Sequence, residues 1–118
     1  MSAKTILIVD DDEIICHLLQ FRLQLLGHQV FFSLKSLKLE KLIEKYNPAI
    51  LIMDIFMPDK DGIELTRELL SRSPRPFIIA ISSHTDYLKS IKKLGADKSY
   101  SKNDIESILK AVENYQIR

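Results

Sequence analysis

With 118 residues, 46% of them hydrophobic, the chain suits one domain around one core and is too apolar for a disordered polymer. Lys and Arg number 17 against 16 Asp and Glu, a net +1, so no bulk field argues for nucleic acid or a membrane surface as partner. A single cysteine, Cys16, rules out an internal disulfide framework, and no apolar run nears the ~20 residues of a membrane span; a reducing, cytoplasmic setting is expected.

Residues 5–9, Thr-Ile-Leu-Ile-Val, form a β-rich apolar run that stops at Asp10-Asp11-Asp12. From Glu13 the pattern turns helical, with Ile14/Ile15, Leu18/Leu19, Leu23 and Leu26 recurring and Gly27 placed as a C-cap. Cys16 falls among these apolar positions and reads as a packed thiol. Residues 28–32 predict a second, partly exposed strand. Residues 36–46 predict a helix with Leu37, Leu39, Leu42 and Ile43 inward and Lys38, Lys41 and Lys45 outward, ended by Asn47-Pro48.

The run 49–53 then predicts a buried strand, after which Asp54 appears without transition and Pro58 and Asp61-Gly62 break the backbone into a loop. A helix is expected over 63–72 with Leu65, Leu69 and Leu70 buried. Ser73-Pro74-Arg75-Pro76 ends it before a strand at 77–81 that leads into Ser82-Ser83. A fourth helix is expected from Thr85 or Asp86 to Leu94, an edge strand over 98–101, and a last helix with Asn103 as N-cap and Glu106 in capping-box register. Ile105, Ile108, Leu109 and Val112 form its inner face. Five strands alternating with five helices demand a doubly wound α/β fold with parallel strands and right-handed crossovers. In the order 2-1-3-4-5 the first and third strands adjoin at the switch point, where open α/β sheets hold their ligands.

That topology gathers Asp10, Asp11 and Asp54 in one crevice. Close carboxylates repel unless a cation intervenes, and an all-oxygen set suits Mg²⁺ or Mn²⁺ rather than zinc. Asp12 and Glu13 are read instead as acidic residues opening a helix. Ser82 and Lys102 end neighbouring strands and bring a hydroxyl and an ammonium. Acceptor carboxylate, divalent metal, hydroxyl and cation together make a phosphoryl site, since phosphoryl transfer needs chiefly positioning and charge neutralisation.

At these residues the chain resembles the receiver domains of two-component response regulators, the chemotaxis receivers among them. The resemblance rests on Ile6-Leu7-Ile8-Val9-Asp10-Asp11-Asp12, on Asp54-Ile55-Phe56-Met57-Pro58 with Asp61-Gly62, on Ser82, and on Lys102 after Gly95-Ala96-Asp97. It covers essentially the whole chain. It implies a flavodoxin-like (βα)5 fold and one receiver domain over residues 1–118; no output domain is expected within this chain, which is either a stand-alone regulator or part of a longer one. It also implies a cytoplasmic signalling switch rather than an enzyme, one that assists its own phosphorylation and dephosphorylation. Asp54 is then the phosphoacceptor, charged by a sensor histidine kinase or phosphotransfer protein. Asp10, Asp11, Asp54 and the Phe56 carbonyl hold Mg²⁺ (or Mn²⁺), and Ser82 and Lys102 hold phosphoryl oxygens. Neither nucleic acid nor membrane is a direct partner. An unidentified downstream protein is expected on the face of the fourth helix, fifth strand and fifth helix, which carries Lys89, Lys92, Lys93, Lys98 and Lys110.

Two positions depart from the family. Asn103 follows Lys102 where receivers usually have Pro in a cis bond; a non-proline cis bond costs ~2.5–4 kcal/mol, so a trans peptide and an altered Lys102 approach are expected. Ser99 replaces a frequent aromatic, and Tyr100 next to it points to the opposite face by strand alternation. Phe56 and His84 flank the path of hydrolytic water, and Phe56 offers it no hydrogen bond, so slow dephosphorylation is expected; His84 either positions water or caps the next helix. Two other readings compete. One is a receiver-like interaction module that never takes phosphate. The other is a small Mg²⁺-dependent phosphatase with Asp10 as nucleophile and Asp12 as acid/base.

Overall fold

The computed structural model describes residues 3–57, 60–61, 67–84 and 96–116. The elements are β1 (Thr5–Val9), α1 (Glu13–Leu25), β2 (Gln29–Ser33), α2 (Leu39–Tyr46), β3 (Ile50–Asp54), β4 (Phe56–Met57), β5 (Lys60–Asp61), β6 (Phe77–Ser82), β7 (Lys98–Ser101) and α3 (Ile105–Asn114). The main sheet runs β2-β1-β3-β6-β7, every neighbouring pair parallel. Counting only its own five strands, that is the expected order 2-1-3-4-5. Where a plain loop was expected after Asp54, β4 and β5 form a two-residue antiparallel ribbon.

Strand alternation sends successive side chains to opposite faces and so divides the core in two. Ile6, Ile8, Ile50, Ile52, Ile79 and Ile81 meet Cys16, Leu19 and Leu23 of α1 and Ile108, Leu109 and Val112 of α3. Leu7, Val9, Leu51, Met53, Ile78 and Ala80 meet Leu39 and Ile43 of α2 together with Leu69 and Ala96. The central strands are apolar on both faces because helices cover both.

The helices differ from expectation in register. α1 buries Cys16, Leu19 and Leu23, with Ile15 packed beside them, while Ile14, Leu18 and Leu26 are exposed. The run of apolar residues is wider than the sheet can cover, so periodicity alone picks no side. At its end His28 donates its backbone N–H to Leu23 O and Gly27 to Gln24 O, a Schellman pattern that Gly27 permits with φ of 94°. α2 starts at Leu39 rather than at residue 36, because Lys38 is in the left-handed region with φ of 61° and breaks the helical path. Leu37 therefore lies outside the helix, exposed rather than inward. Asp104, not Asn103, caps α3, accepting a bond from Ser107 N–H at 3.3 Å, and Glu106 pairs with Arg22 at 2.8 Å instead of closing a capping box. Residues 67–70 are helical with Leu69 buried; the rest of the helix expected over 63–72, and the one expected from residue 85 or 86 to Leu94, lie mostly or wholly outside the described residues. Lys89, Lys92 and Lys93 share that position, whereas Lys98 and Lys110 are exposed.

Candidate functional site

β1 and β3 pair through Val9 and Met53, so the next residue of each chain segment, Asp10 and Asp54, emerges side by side at the carboxyl edge of the sheet. Both belong to the parity of Ile8 and Ile52, which faces α1 and α3, and both are buried, at 0% and 2% exposure. Asp11 sits exposed at the rim. One carboxylate oxygen from each of Asp10, Asp11 and Asp54 lies within 4.8 Å of the others. The expected acidic crevice is there, assembled by parallel pairing alone.

Lys102 enters it from the end of β7. Its Nζ stands 3.0 Å from Asp10 Oδ1 and 2.9 Å from Asp54 Oδ2, and its side chain is 12% exposed. The Lys102–Asn103 peptide is trans, yet the ammonium reaches both carboxylates. Its backbone N–H donates to Ser82 O at 3.0 Å, which ties it to the end of β6. Burial, the largest influence, opposes the charge on Lys102, but the bonds to Asp54 and Asp10 outweigh it and hold the amine above its ordinary 10.5.

Asp10 is engaged on nearly every side. Its N–H donates to Ser33 O, its carbonyl accepts from Cys16 Sγ at 3.3 Å, and Oδ1 accepts from Asp12 N–H at 2.8 Å and from Lys102 Nζ. Burial pushes its pKa from 3.8 to about 6, against the lowering effect of the Asp12 and Lys102 bonds. Oδ2 is buried with no hydrogen-bond partner. An unsatisfied buried carboxylate oxygen is costly, and the charge density of three carboxylates against one ammonium leaves the crevice anionic. A hard divalent cation answers both deficits, so the residues present fit Mg²⁺ or Mn²⁺.

The structure places Ser82 at the site edge, fully buried, but not with its hydroxyl on Asp54. Oγ donates to His84 O at 3.2 Å and accepts from His84 N–H at 2.8 Å, a local turn that takes up the hydroxyl. His84 itself is exposed, and any capping of a following helix lies outside the described residues. Tyr100 packs into the core on the α1–α3 side, as alternation from Ser99 requires. Asp12 accepts from the N–H groups of Ile14 and Ile15 and caps α1, which occupies the carboxylate that an acid/base role would need. Sequence reasoning missed the bond from Cys16 to Asp10 and the bridging position of Lys102; the spacing of Cys16, six residues past Asp10 and inside α1, carries no visible signal of it.

The family model of the response regulator receiver domain matches residues 6–113. Among curated proteins, the chain is similar to the transcriptional regulatory protein DegU of Brevibacillus brevis, 38% identical over 76 residues that cover 62% of this chain and 32% of the relative. It is also similar to the probable transcriptional regulator ycf27 of Porphyridium aerugineum, 28% identical over 118 residues, covering 95% of this chain and 49% of the relative. The chain thus spans half or less of the curated relatives' length. Among solved structures, it is similar to a signal receiver domain of a response regulator from Bermanella marisrubri (26% identity, TM-score 0.85, 96% and 98% of the two chains). The response regulator TrrA from Thermotoga maritima, solved in complex with Mg²⁺ and BeF, shares 26% identity with a TM-score of 0.83 over 93% and 96%.

Proposed function

Because the chain belongs to the response regulator receiver family of two-component signalling, we propose that Asp54 accepts a phosphoryl group from a phosphohistidine of a sensor kinase or phosphotransfer protein and that the modified domain changes its affinity for a downstream protein. The reading rests most heavily on Asp54 sharing one partly buried ammonium with Asp10 at the sheet edge. A carboxylate in that place is a nucleophile held ready and shielded from bulk water.

In the transfer, an Asp54 oxygen forms the new O–P bond as the P–N bond to the donor imidazole breaks, its electron pair staying on the ring nitrogen. Asp10, Asp11, Asp54 and the Phe56 carbonyl would hold Mg²⁺. When bound, the ion offsets negative charge on the phosphoryl oxygens and helps orient them. Lys102 then exchanges its contact with a carboxylate oxygen for one with a phosphoryl oxygen, a short move for a flexible side chain. Ser82 contributes its hydroxyl by releasing the His84 backbone. Because Lys102 N–H is bonded to Ser82 O, the two loops shift together, and the population moves toward a form recognised through the face around β7 and α3.

Mass spectrometry of the chain incubated with acetyl phosphate, with and without Mg²⁺, tests the proposal. One Mg²⁺-dependent phosphoryl adduct is expected, mapping to Asp54 and absent in Asp54→Asn. No adduct would leave a phosphate-independent interaction module, and an adduct on Asp10 would favour the phosphatase reading.

A further inference from the structure

We infer that Cys16 is a positioning residue for the divalent cation: its thiol pins the peptide plane that joins Asp10 to Asp11 and so sets the mutual geometry of two metal-facing carboxylates. This rests on reading Asp10, Asp11 and Asp54 as the metal ligands. The carbonyl that accepts from Cys16 Sγ at 3.3 Å is that of Asp10, so it belongs to the Asp10–Asp11 peptide. Fixing that carbonyl fixes the direction in which Asp11 leaves the sheet, because a planar peptide rotates only as a unit. The amide before Asp10 is already held by Ser33 O, and Oδ1 by Asp12 and Lys102. The thiol completes the set, leaving buried, unpartnered Oδ2 as the remaining open acceptor of that side chain.

Cys16 is itself fully buried in the core under α1. The thiol is the donor of that bond, since a carbonyl oxygen can only accept. Geometry of this kind matters unequally to different ions. Mg²⁺ demands near-ideal octahedral ligands at short distances, whereas Ca²⁺ tolerates irregular sets. Loosening the Asp10–Asp11 peptide should consequently weaken Mg²⁺ more than Ca²⁺, and a hydroxyl donor in place of the thiol should reverse the effect.

The test is calorimetric titration of the unphosphorylated full chain with Mg²⁺ alone and Ca²⁺ alone, for wild type, Cys16→Val, Cys16→Ala and Cys16→Ser. Removing the donor in Cys16→Val and Cys16→Ala should lower Mg²⁺ affinity about three- to tenfold and Ca²⁺ affinity by less than about twofold, while the hydroxyl of Cys16→Ser restores Mg²⁺ binding. Unchanged Mg²⁺ affinity in the first two variants overturns the inference, as does an equal loss for both ions. If both fail to fold, the inference also falls, since the bond then serves the fold. A wild-type chain that takes up no Mg²⁺ defeats the metal reading itself, an outcome distinct from the others.

Discussion

Lys102 Nζ and Asp54 Oδ2 stand 2.9 Å apart in a crevice where the same ammonium lies 3.0 Å from Asp10, which is wholly buried. One cation is thus shared between two carboxylates. Removing it would take from two adjacent buried carboxylates the ammonium that they share.

Lys102→Met should accordingly destabilise the metal-free chain by about 3 kcal/mol at neutral pH, the usual scale for breaking a buried ion pair from one side. Urea unfolding with and without Mg²⁺ measures this. The deficit should shrink when Mg²⁺ is added, because the ion takes over part of the charge compensation; a deficit of the same size in both buffers would contradict it.

The raised pKa of Asp10 gives stability a definite pH slope. Its ordinary value is 3.8 and its folded value about 6, so between them the folded state holds a proton that the unfolded state has released. The contribution of this group is therefore most favourable below about pH 4 and falls as pH climbs to about 6, by on the order of 3 kcal/mol, then levels off. Metal-free unfolding free energies of wild type minus those of Asp10→Asn should show that decline. Mg²⁺ affinity should run the other way, dropping below pH 6 as protons compete for the carboxylate.

Phe56 stands two residues beyond Asp54 and has no side-chain group to orient water. Phe56→Asn should shorten the lifetime of the aspartyl phosphate severalfold, on the scale of about 10-fold for adding one positioned hydrogen bond. Decay of the radiolabelled or mass-shifted species in Mg²⁺ buffer after removal of the phosphodonor checks it, and a lifetime equal to wild type counts against a role for this position.

The start of α3 offers a contrast between neighbours. Asp104→Ala removes the carboxylate that accepts from Ser107 N–H and should cost about 1 kcal/mol, whereas Asn103→Ala should cost only a few tenths. Thermal unfolding of the two variants distinguishes them; the reverse order would place the cap where the sequence pattern alone put it.

Much of this site is legible in the chain itself. Thr5-Ile-Leu-Ile-Val before Asp10, and Ile50-Leu-Ile-Met before Asp54, are buried parallel strands by pattern, and parallel neighbours bring their carboxyl ends together whatever else the fold does. Ser82 and Lys102 follow from the same rule one and two strands further on. Helix registers read less well. Ile14 and Leu18 look as apolar as Ile15 and Leu19, and only contact with the sheet decides which pair is covered.

What the linear chain determined is therefore which chemical groups arrive at the carboxyl edge of the sheet, because strand period and crossover handedness are local properties that propagate without ambiguity. Tertiary structure alone decided how those groups are engaged: Lys102 between Asp10 and Asp54, the Ser82 hydroxyl on the His84 backbone, and the Cys16 thiol on the Asp10 carbonyl. Hydrogen-bond partners are settled by competition among near and distant groups, within tenths of an ångström, and no periodicity encodes the outcome.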